Sequence, residues 1–304
     1  MSVLVLGSAN LDLVYDVDRI PAPGETVLAR GFASFPGGKG NNQAIAAARC
    51  GADVRFVVAL GRDASGDRLA EEARRAGIDL RDRRCDAPTG TAVIYVDRGA
   101  ENSIVVDSGA NALLTDLTAA ERDDIADADV LVLQLETPLD TVAEAVRTAR
   151  AGATRVVLNA APSADLPPGL LGDADVLVVN EHEAAALAGL PAGADERSLL
   201  AVLTDRGAAA IITLGAAGAL VGVPGAAPVL VPGHRVEAVD TTGAGDTFVG
   251  ALAAALDRSG DRTPASLVDA AAFATAAAAI AVRRKGAVPS IPTLEEVLDF
   301  RGRH

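Results

Sequence analysis

The residue pattern around position 243 is suited to phosphate chemistry. Small residues form a turn that ends in an aspartate and leads into the apolar segment 248–256, in the order Asp240-Thr241-Thr242-Gly243-Ala244-Gly245-Asp246. Glycine and alanine let backbone N–H groups approach an anion, and a helix that begins here adds the positive end of its dipole. The pattern therefore indicates an anion-binding turn with Asp246 as a base. An ordinary strand-to-helix turn with a first-turn acid has the same composition.

A second glycine-rich segment opens a helix predicted over residues 39–50, and it reads Gly37-Gly38-Lys39-Gly40-Asn41-Asn42-Gln43. The Walker A phosphate loop is excluded, because that motif needs glycine at position 33 and serine or threonine at position 40, where this chain has Ala33 and Gly40. A glycine-rich helix N-terminus with amide side chains remains, and it is suited to hydrogen-bonding a polyol. A turn that only lets the helix pack closely on a sheet is the alternative.

The first predicted strand, residues 3–7, is followed by the polar side chains of Asn10 and Asp12. Their alternation places them on one face at the carboxyl edge of the strand, where open α/β sheets bind ligands, so they could grip hydroxyl groups. As turn residues they would be equally ordinary. The segment lacks the GxGxxG fingerprint, which makes a nicotinamide enzyme a poor candidate.

Three further predicted strands also end in polar or glycine-rich segments, which contain Glu136, Asn180 with Glu183, and Thr213 with Gly215. Glu183 could hold a hydrated Mg²⁺, because this ion keeps several waters and needs few protein carboxylates. Helix capping by Asn180 with first-turn acids explains the same residues. Polar or glycine-rich segments at so many strand ends are difficult to explain by chance, because these ends share one edge of one sheet.

Composition limits the classes of protein and partner. The chain has 304 residues, half of them hydrophobic, and a net charge of −14, which argues against nucleic acid and anionic membranes as partners. Cys50 and Cys85 are the two cysteines and form no CxxC motif, so neither a disulfide framework nor a zinc site is expected. No basic leader precedes the first apolar run, and we expect cytoplasmic residence.

Short apolar runs alternate with longer helical patterns along the chain, as in a doubly wound α/β fold. Strands are predicted at 3–7, 54–60, 130–135, 156–159, 176–180 and 210–214. Helices are predicted at 39–50, 66–76, 139–151, 181–188, 196–206, 247–256, 264–282 and 294–300. Residues 12–35 and 91–106 break this rhythm and predict short antiparallel strands that form one small extra sheet. We expect a single domain, 1–304, with this sheet as a lid.

Taken in order, these motifs resemble those of the PfkB family of carbohydrate kinases, most closely its ribose kinases. The similarity runs over essentially the whole chain and includes Pro21-Ala22-Pro23-Gly24-Glu25-Thr26, Ser108-Gly109-Ala110-Asn111 and Arg284-Lys285-Gly286-Ala287-Val288-Pro289-Ser290. The resemblance implies a Rossmann-like three-layer αβα sandwich with a β-sheet lid. It also implies ATP-dependent phosphorylation of the 5-hydroxymethyl group of D-ribose, giving ribose 5-phosphate and ADP, and a homodimer joined through the lids.

The resemblance assigns roles to individual residues. Asp246 would accept the proton of the attacking hydroxyl, and the anion hole would consist of the amides of Gly243, Ala244 and Gly245. The sugar would be held by Asn10, Asp12, Gly38, Lys39, Asn42, Glu136 and Asp246. The nucleotide would contact Asn180, Thr213, Gly215, Ala216, Gly218, Gly245 and Thr275, and Glu183 would place Mg²⁺ through water. An activating K⁺ would bind Asp240, the carbonyls of Thr242, Ala281, Arg284 and Gly286, and Ser290.

Three positions depart from the family pattern. Asn41 replaces a common alanine beside the sugar site, which weakens the assignment to ribose. His182 replaces a frequent threonine at an expected surface position, and Thr275 stands where a histidine or asparagine often touches the adenine region. A kinase of the same fold for deoxyribose, a nucleoside or a hexose therefore stays open. From a different class, a catalytically silent sugar or nucleotide sensor is the alternative, although the retained Asp246 argues against it.

Overall fold

The structure is a computed structural model that describes residues 2–99, 101–167 and 169–303. Its strands, in chain order, are β1 (Val3–Leu6), β2 (Asn10–Asp16), β3 (Gly31–Gly37), β4 (Val54–Gly61), β5 (Asp79–Cys85), β6 (Gly90–Val96), β7 (Asn102–Asp107), β8 (Val130–Leu133), β9 (Arg155–Asn159), β10 (Val176–Asn180), β11 (Ala209–Thr213), β12 (Gly218–Gly222) and β13 (Val229–Pro232). Its α-helices are α1 (Lys39–Arg49), α2 (Ala64–Arg75), α3 (Ala119–Ala126), α4 (Leu139–Ala151), α5 (Leu170–Asp173), α6 (Glu181–Ala188), α7 (Glu196–Thr204), α8 (Ala244–Ser259), α9 (Pro264–Ala281), α10 (Ala287–Ser290) and α11 (Leu294–Arg301). Two 3₁₀ turns cover Gly109–Leu113 and Gly215–Ala217.

Nine strands form the main sheet, in the order β13-β12-β11-β10-β9-β8-β1-β4-β5. From β11 to β5 every neighbouring pair is parallel, and β12 runs antiparallel to both of its neighbours. From β1 the chain continues to β4 on one side and later to β8 on the other. The carboxyl ends of β1 and β8 therefore meet at a topological switch point, the usual place for a ligand site in open α/β sheets.

Helices cover both faces of this sheet, which makes a three-layer αβα sandwich. Within β1, Val3 and Val5 belong to the core beneath α1, α8 and α9, whereas Leu4 and Leu6 belong to the core on the opposite face. All four side chains are fully buried, as continuous apolar strands of a parallel sheet require. The predicted fold class is confirmed, including the six predicted strands and the boundaries of α4 and α6.

The second sheet has four strands in the order β3-β2-β6-β7. It matches the small extra sheet that was predicted, called the lid below, and its strands extend one or two residues beyond the segments 12–35 and 91–106. The β2–β3 and β6–β7 pairs are antiparallel as predicted, but β2 and β6 run parallel, because each continues from a strand of the parallel main sheet, β1 and β5. Strand β2 follows β1 after only three residues, so Asn10 lies at the junction of the two sheets, paired with Gly37 and Gly90. The outer strand β7 is exposed, and it carries the apolar side chains of Ile104, Val105 and Val106.

Two elements near functional segments differ from the sequence prediction. Strand β5 was missed because five of its seven residues are Arg or Asp, yet as an edge strand it leaves them exposed or half-buried and pairs them with neighbouring charges. Helix α8 was predicted to begin at residue 247 but begins at Ala244. Gly243 has a left-handed backbone, φ 73°, and takes the N-cap position, so Asp246 lies inside the first turn.

Helix α9 is the one helix in the described part of the chain with the length and apolar composition to cross a membrane. Such a helix is weak evidence for a span, because core helices meet the same criterion. Of the most apolar window, 61% is buried inside the protein, and Phe273 and Ala274 pack in the core that α9 shares with α8. Composition alone therefore does not distinguish α9 from a buried core helix.

Candidate active site

Asp246 lies in the first turn of α8 and is half-buried. Its Oδ2 accepts a hydrogen bond from Asn42 Nδ2 at 3.0 Å, and its Oδ1 accepts one from Gln43 Nε2 at 2.9 Å. Burial raises the pKa of Asp246 above its ordinary value, and Glu136 adds to that rise. The charge of Lys39 and the two amide hydrogen bonds oppose it. The structure thus places a half-buried carboxylate between one cation and two neutral donors.

Glu136 is the second carboxylate of the site and is held by the ends of two other elements. Its Oε2 accepts from Ser8 Oγ at 2.5 Å and from the Lys39 backbone N–H at 2.9 Å. These bonds tie the segment after β8 to the segment after β1 and to the first residue of α1. They fix Glu136 at the switch point of the main sheet, where the sequence analysis placed it.

Asp12, on β2, is the third carboxylate and faces the other two. Burial, together with the negative charges of Glu136 and Asp246, raises its pKa to about 7. Although burial lowers the Lys39 pKa, the nearby carboxylates, led by Asp246 and Glu136, outweigh burial and raise it. The ammonium group of the half-buried Lys39 therefore balances part of a cluster of three carboxylates, a polar arrangement suited to binding several hydroxyl groups.

Amide side chains complete this part of the site. Asn10 is buried, and its Oδ1 accepts from Asn111 Nδ2 at 2.7 Å, which directs the Asn10 N–H groups away from Asn111. Asn42 presents a buried Oδ1 that has no hydrogen-bond partner among the described residues, and this oxygen can accept from a sugar hydroxyl. Gly38 must be glycine here, because its φ is +86° and a Cβ would lie 2.8 Å from the Asn10 backbone nitrogen.

Six of the seven predicted nucleotide contacts line one cavity of about 440 Å³. They are Thr213, Gly215, Ala216, Gly218, Gly245 and Thr275. The seventh, Asn180, is not among the residues that line it. The remaining wall is largely apolar, and its residues were not predicted as nucleotide contacts, although Thr241 and Ala244 belong to the anion-binding motif: Gly233, His234, Arg235, Val236, Ala238, Thr241, Ala244, Phe248, Ala278, Ala279 and Val282. The volume is within the ordinary range for small-molecule sites.

The turn before α8 lies where this cavity meets the carboxylate cluster. Among the described residues, the backbone N–H groups of Gly243, Gly245 and Asp246 donate to no protein acceptor, whereas Ala244 N–H donates to the Thr241 carbonyl at 3.2 Å. A Cβ on Gly245 would meet nothing within 4 Å, and Ala244 and Gly245 line the cavity, so this turn borders open space. The predicted anion hole therefore has the free donors that it needs at Gly243 and Gly245, with Asp246 as a third and Ala244 already engaged.

Asn180 and Glu183 form the capping box of α6, as the structural alternative predicted. Glu183 N–H donates to Asn180 Oδ1 at 2.8 Å, and Asn180 N–H donates to Glu183 Oε2 at 2.9 Å. The other Glu183 oxygen makes no hydrogen bond in the described structure. The negative charge of the Glu183 carboxylate contributes to raising the Lys39 pKa. One free carboxylate oxygen at this edge fits a metal held through water. Among the described residues, no three His, Cys, Asp or Glu side chains are grouped so that they could hold one metal ion by themselves.

Asp240 joins the turn before α8 to the segment before α10. Its Oδ1 accepts from Thr242 N–H at 2.9 Å and its Oδ2 from Gly286 N–H at 2.8 Å. Burial raises the Asp240 pKa, but these hydrogen bonds and Lys285 outweigh burial and keep it below the ordinary value. Ser290 is fully buried on α10, and its hydroxyl donates to the Ala287 carbonyl. The predicted cation ligands thus belong to two adjoining segments that an ionised carboxylate bridges.

Sequence reasoning missed a set of buried amides behind Asp246. Gln43, Gln134 and Asn159 are linked to one another by hydrogen bonds, and Gln43 reaches the carboxylate itself. Gln43 was visible as the last residue of the Gly-Gly-Lys segment and Gln134 as a polar residue at a strand end. Their burial would have been the missing clue, because a glutamine inside a core needs partners. Of the three departures, His182 is exposed as expected, and Asn41 is buried with an Nδ2 that has no partner in the described structure.

Comparison with known proteins agrees with this fold. The model of the pfkB family carbohydrate kinases matches residues 1–294. A ribokinase from Haemophilus influenzae is 41% identical over 306 residues, which cover 98% of each chain. The chain belongs to the pfkB family of carbohydrate kinases. The expected family is therefore confirmed.

Two solved structures are similar over nearly their whole length. Ribokinase from Thermotoga maritima has a TM-score of 0.90 and 36% identity, with 99% of each chain covered. Arabidopsis thaliana ribokinase, complexed with ribose and ATP, has a TM-score of 0.89 and 30% identity, with 98% of each chain covered. These likenesses match both the nine-stranded sandwich and the four-stranded lid described above.

Proposed function

We propose that this chain transfers the terminal phosphoryl group of ATP to the 5-hydroxymethyl group of D-ribose, giving ribose 5-phosphate and ADP. One observation carries the proposal: a half-buried carboxylate, Asp246, occupies the first turn of a helix whose N-terminus has free backbone N–H groups and lines an open cavity. A base and an anion hole on one helical turn are what phosphoryl transfer to a hydroxyl requires. Similarity to ribokinases over almost the whole chain supports ribose as the acceptor.

Asp246 would accept the proton of the attacking hydroxyl, which must lie within about 3 Å of the carboxylate. The N–H groups of Gly243 and Gly245, and to a lesser degree of Ala244, would meet the charge on the transferring phosphoryl group. The sugar would be held by Asn10, Asp12, Gly38, Lys39, Asn42 and Glu136. Because Asp12, Lys39 and Glu136 carry the charges of this half, they would orient the other hydroxyls and leave the 5-hydroxyl at Asp246.

The nucleotide would occupy the cavity of about 440 Å³, with its base against the apolar wall that contains Thr275. Its phosphates would then lie toward Gly245. Asn180 would lie beside them at the carboxyl edge of β10. A divalent cation accompanies ATP in such transfers and neutralises phosphate charge. We propose Mg²⁺, held through water by the free oxygen of Glu183.

We propose that K⁺ binds beside the anion hole. Asp240 is ionised and bridges the two segments, so it offers the hard oxygen ligands that such a cation prefers. The carbonyls of Thr242, Ala281, Arg284 and Gly286, with Ser290, would complete the ligands. A Cβ on Gly243 would lie 2.8 Å from the Ala287 Cβ, so the proposed cation segment packs directly against the anion-hole turn. Cation binding would therefore fix the position of the donors.

We propose that the chain is a single domain with a lid, that two copies join through the lids, and that the enzyme works in the cytoplasm without nucleic-acid or membrane partners. The exposed apolar side chains Phe32, Ile104, Val105 and Val106 on the lid support the dimer. Light scattering should give the mass of two chains for the wild type and of one chain for Val105→Asp. A monomeric wild type would contradict the dimer.

A substrate panel tests the proposed function. ADP formation should depend on the sugar, with ribose preferred over deoxyribose, fructose and adenosine when all are assayed side by side. Preference for another acceptor would transfer the assignment to a kinase of the same fold for deoxyribose, a hexose or a nucleoside. Tight binding of ribose and ATP without turnover would instead identify a sugar or nucleotide sensor.

A further inference from the structure

A continuous chain of buried amides runs behind Asp246 along the carboxyl edge of the sheet. Gln134 Nε2 donates to Gln43 Oε1 at 2.7 Å, and Gln43 Nε2 donates to Asp246 Oδ1 and to Asn159 Oδ1, both at 2.9 Å. Asn159 Nδ2 donates in turn to the Val178 carbonyl at 3.1 Å. Gln43 is 0% exposed and Gln134 is 1% exposed. The carboxylate is thus connected through side chains to β8, β9 and β10.

The two ends of the chain determine how every amide is oriented. A carboxylate and a backbone carbonyl can only accept hydrogen bonds. Gln43 must therefore turn its N–H₂ group toward Asp246, and Asn159 must turn its N–H₂ group toward Val178. Gln43 is left with its oxygen toward Gln134, which must donate. A single arrangement of the chain satisfies all of these contacts.

The first strand leaves room for this arrangement. Gly7 follows β1, and a Cβ on it would lie 1.9 Å from Gln134 Oε1 and 3.0 Å from the Gly40 Cα. Any larger residue at position 7 would displace the Gln134 amide or helix α1. The small residue at the end of β1 is therefore part of the support for Gln134.

Both oxygens of Asp246 face N–H donors, Asn42 on one and Gln43 on the other. A proton on either oxygen would point at a donor, so these contacts favour the ionised carboxylate. Burial acts in the opposite direction. The charged groups that face Asp246 are Lys39 on α1, Glu136 after β8 and Asp12 on β2. Of these, only Lys39 favours ionisation, so the amides supply a large part of what offsets burial.

We propose that Gln43, held by Gln134 and Asn159, is a positioning residue that keeps the Asp246 carboxylate ionised and in one orientation for proton abstraction. The inference rests on the proposed function, because it assigns Gln43 to the base of that reaction. Gln43 does not touch the substrate in this role. Its contribution to turnover passes through Asp246, and Gln134 contributes one step further away.

The test is the pH profile of kcat for the full-length enzyme at saturating ribose and ATP, from about pH 5.5 to about pH 9. Gln43→Met keeps the length of the side chain and removes its donor. Because hydrogen bonds to charged groups are strong, we expect the rate near pH 6 to fall about tenfold, with the rates converging toward the wild type at high pH. The acid limb of the profile should move to higher pH, while KM for ATP changes little.

Gln134→Met provides a second variant, because it never touches Asp246. It should shift the acid limb in the same direction by less, and the double variant should shift it little beyond Gln43→Met alone. Thr154→Val is the control: it removes a buried hydroxyl that donates to the Ile125 carbonyl away from the site and should leave the profile unchanged.

A purely structural role predicts a different result. In that case the Met variants lower the melting temperature and reduce kcat equally at every pH, and the inference is overturned. If the enzyme phosphorylates ribose but the acid limbs of its variants are not shifted, the inference is also overturned. The proposed function stands in that case. If Gln43→Met does not fold, Gln134→Met alone decides, and an unshifted limb there is equally negative. A wild type with no ribose kinase activity would instead refute the proposed function.

Discussion

The two halves of the site differ in what their polar side chains hydrogen-bond to. In the half that contains the carboxylates, polar side chains bond to one another: Asp246 accepts from Asn42 and Gln43, and Glu136 accepts from Ser8 and the Lys39 amide. In the nucleotide half, the hydroxyls of Thr213 and Thr275 donate to backbone carbonyls of β10 and α9. Polar groups there serve the fold, and the wall that remains is mainly apolar.

The difference follows from what each half has to do. Proton abstraction needs a carboxylate within a few tenths of an ångström of the right place, which a network of buried hydrogen bonds can fix. A nucleotide base needs a cavity of the right shape, and small residues supply one without directional contacts. We therefore expect substitutions in the carboxylate half to lower kcat and substitutions in the nucleotide half to weaken the binding of ATP.

The largest expected effect is that of Asp246→Asn. Removing the base should lower kcat by about 10²–10⁴-fold, whereas the affinity for ATP should change little because the nucleotide cavity is untouched. Steady-state kinetics and calorimetric titration of ATP measure the two quantities. Asp257→Asn is the control, because Asp257 is an aspartate on the same helix, is buried, and lies at the other end of α8. Near-normal turnover in Asp246→Asn would remove the proposed base.

The second-largest effect is expected at the proposed cation segment, because it packs against the anion-hole turn from outside the substrate site. Replacing K⁺ by choline at constant ionic strength should lower kcat about 10–100-fold, because the donors of the turn would lose their fixed position. Asp240→Asn should lower the rate in K⁺ and weaken the dependence on the cation. The same rate in K⁺, Na⁺ and choline would exclude the cation site.

The sequence was sufficient to predict the main sheet and the residues at its edge. Continuous apolar runs such as Val3–Leu6 define buried parallel strands, and parallel strands bring their carboxyl ends together, so Asn10, Glu136 and Thr213 were placed at one edge without coordinates. The resemblance to the family then supplied roles that spacing alone could not. The roles themselves stay predictions, although the structure brings most of these residues together.

The parts that could not be predicted depend on tertiary partners. Strand β5 is highly charged, and only its place at the edge of the sheet, with Arg83 against Glu121, explains how it forms. The apolar nucleotide wall combines the segment after β13 with one face of α9, and neither contains a motif. The Gln43 and Gln134 network was hidden for the same reason, because a buried amide and an exposed amide look identical in a sequence.

The apolar wall gives the third prediction. Ala278→Leu adds volume to the face of α9 that lines the cavity, and it should raise KM for ATP about tenfold while KM for ribose stays unchanged. Ala272→Leu is the control, because Ala272 is also half-buried on α9 but does not line the cavity. Equal effects on both substrates would show that the two halves are not separable.

The smallest effect is expected from Asp12, and it tests the carboxylate half through pH. Burial and the neighbouring carboxylates hold the Asp12 pKa at about 7 in the folded protein, against 3.8 for an unperturbed aspartate. The folded state therefore retains a proton that the unfolded state has released, so this group costs stability progressively as pH rises from about 4 to about 7. Asp12→Asn removes that cost, and its melting temperature should exceed that of the wild type at pH 8 by more than it does at pH 5, measured by calorimetry without ligand.

In the same pH range, wild-type affinity for ribose should rise as Asp12 ionises and becomes a better acceptor for hydroxyl groups, and the variant should lose this dependence. A melting-temperature difference that is independent of pH would mean that Asp12 is ionised throughout, and the three carboxylates would then not be coupled as the structure indicates.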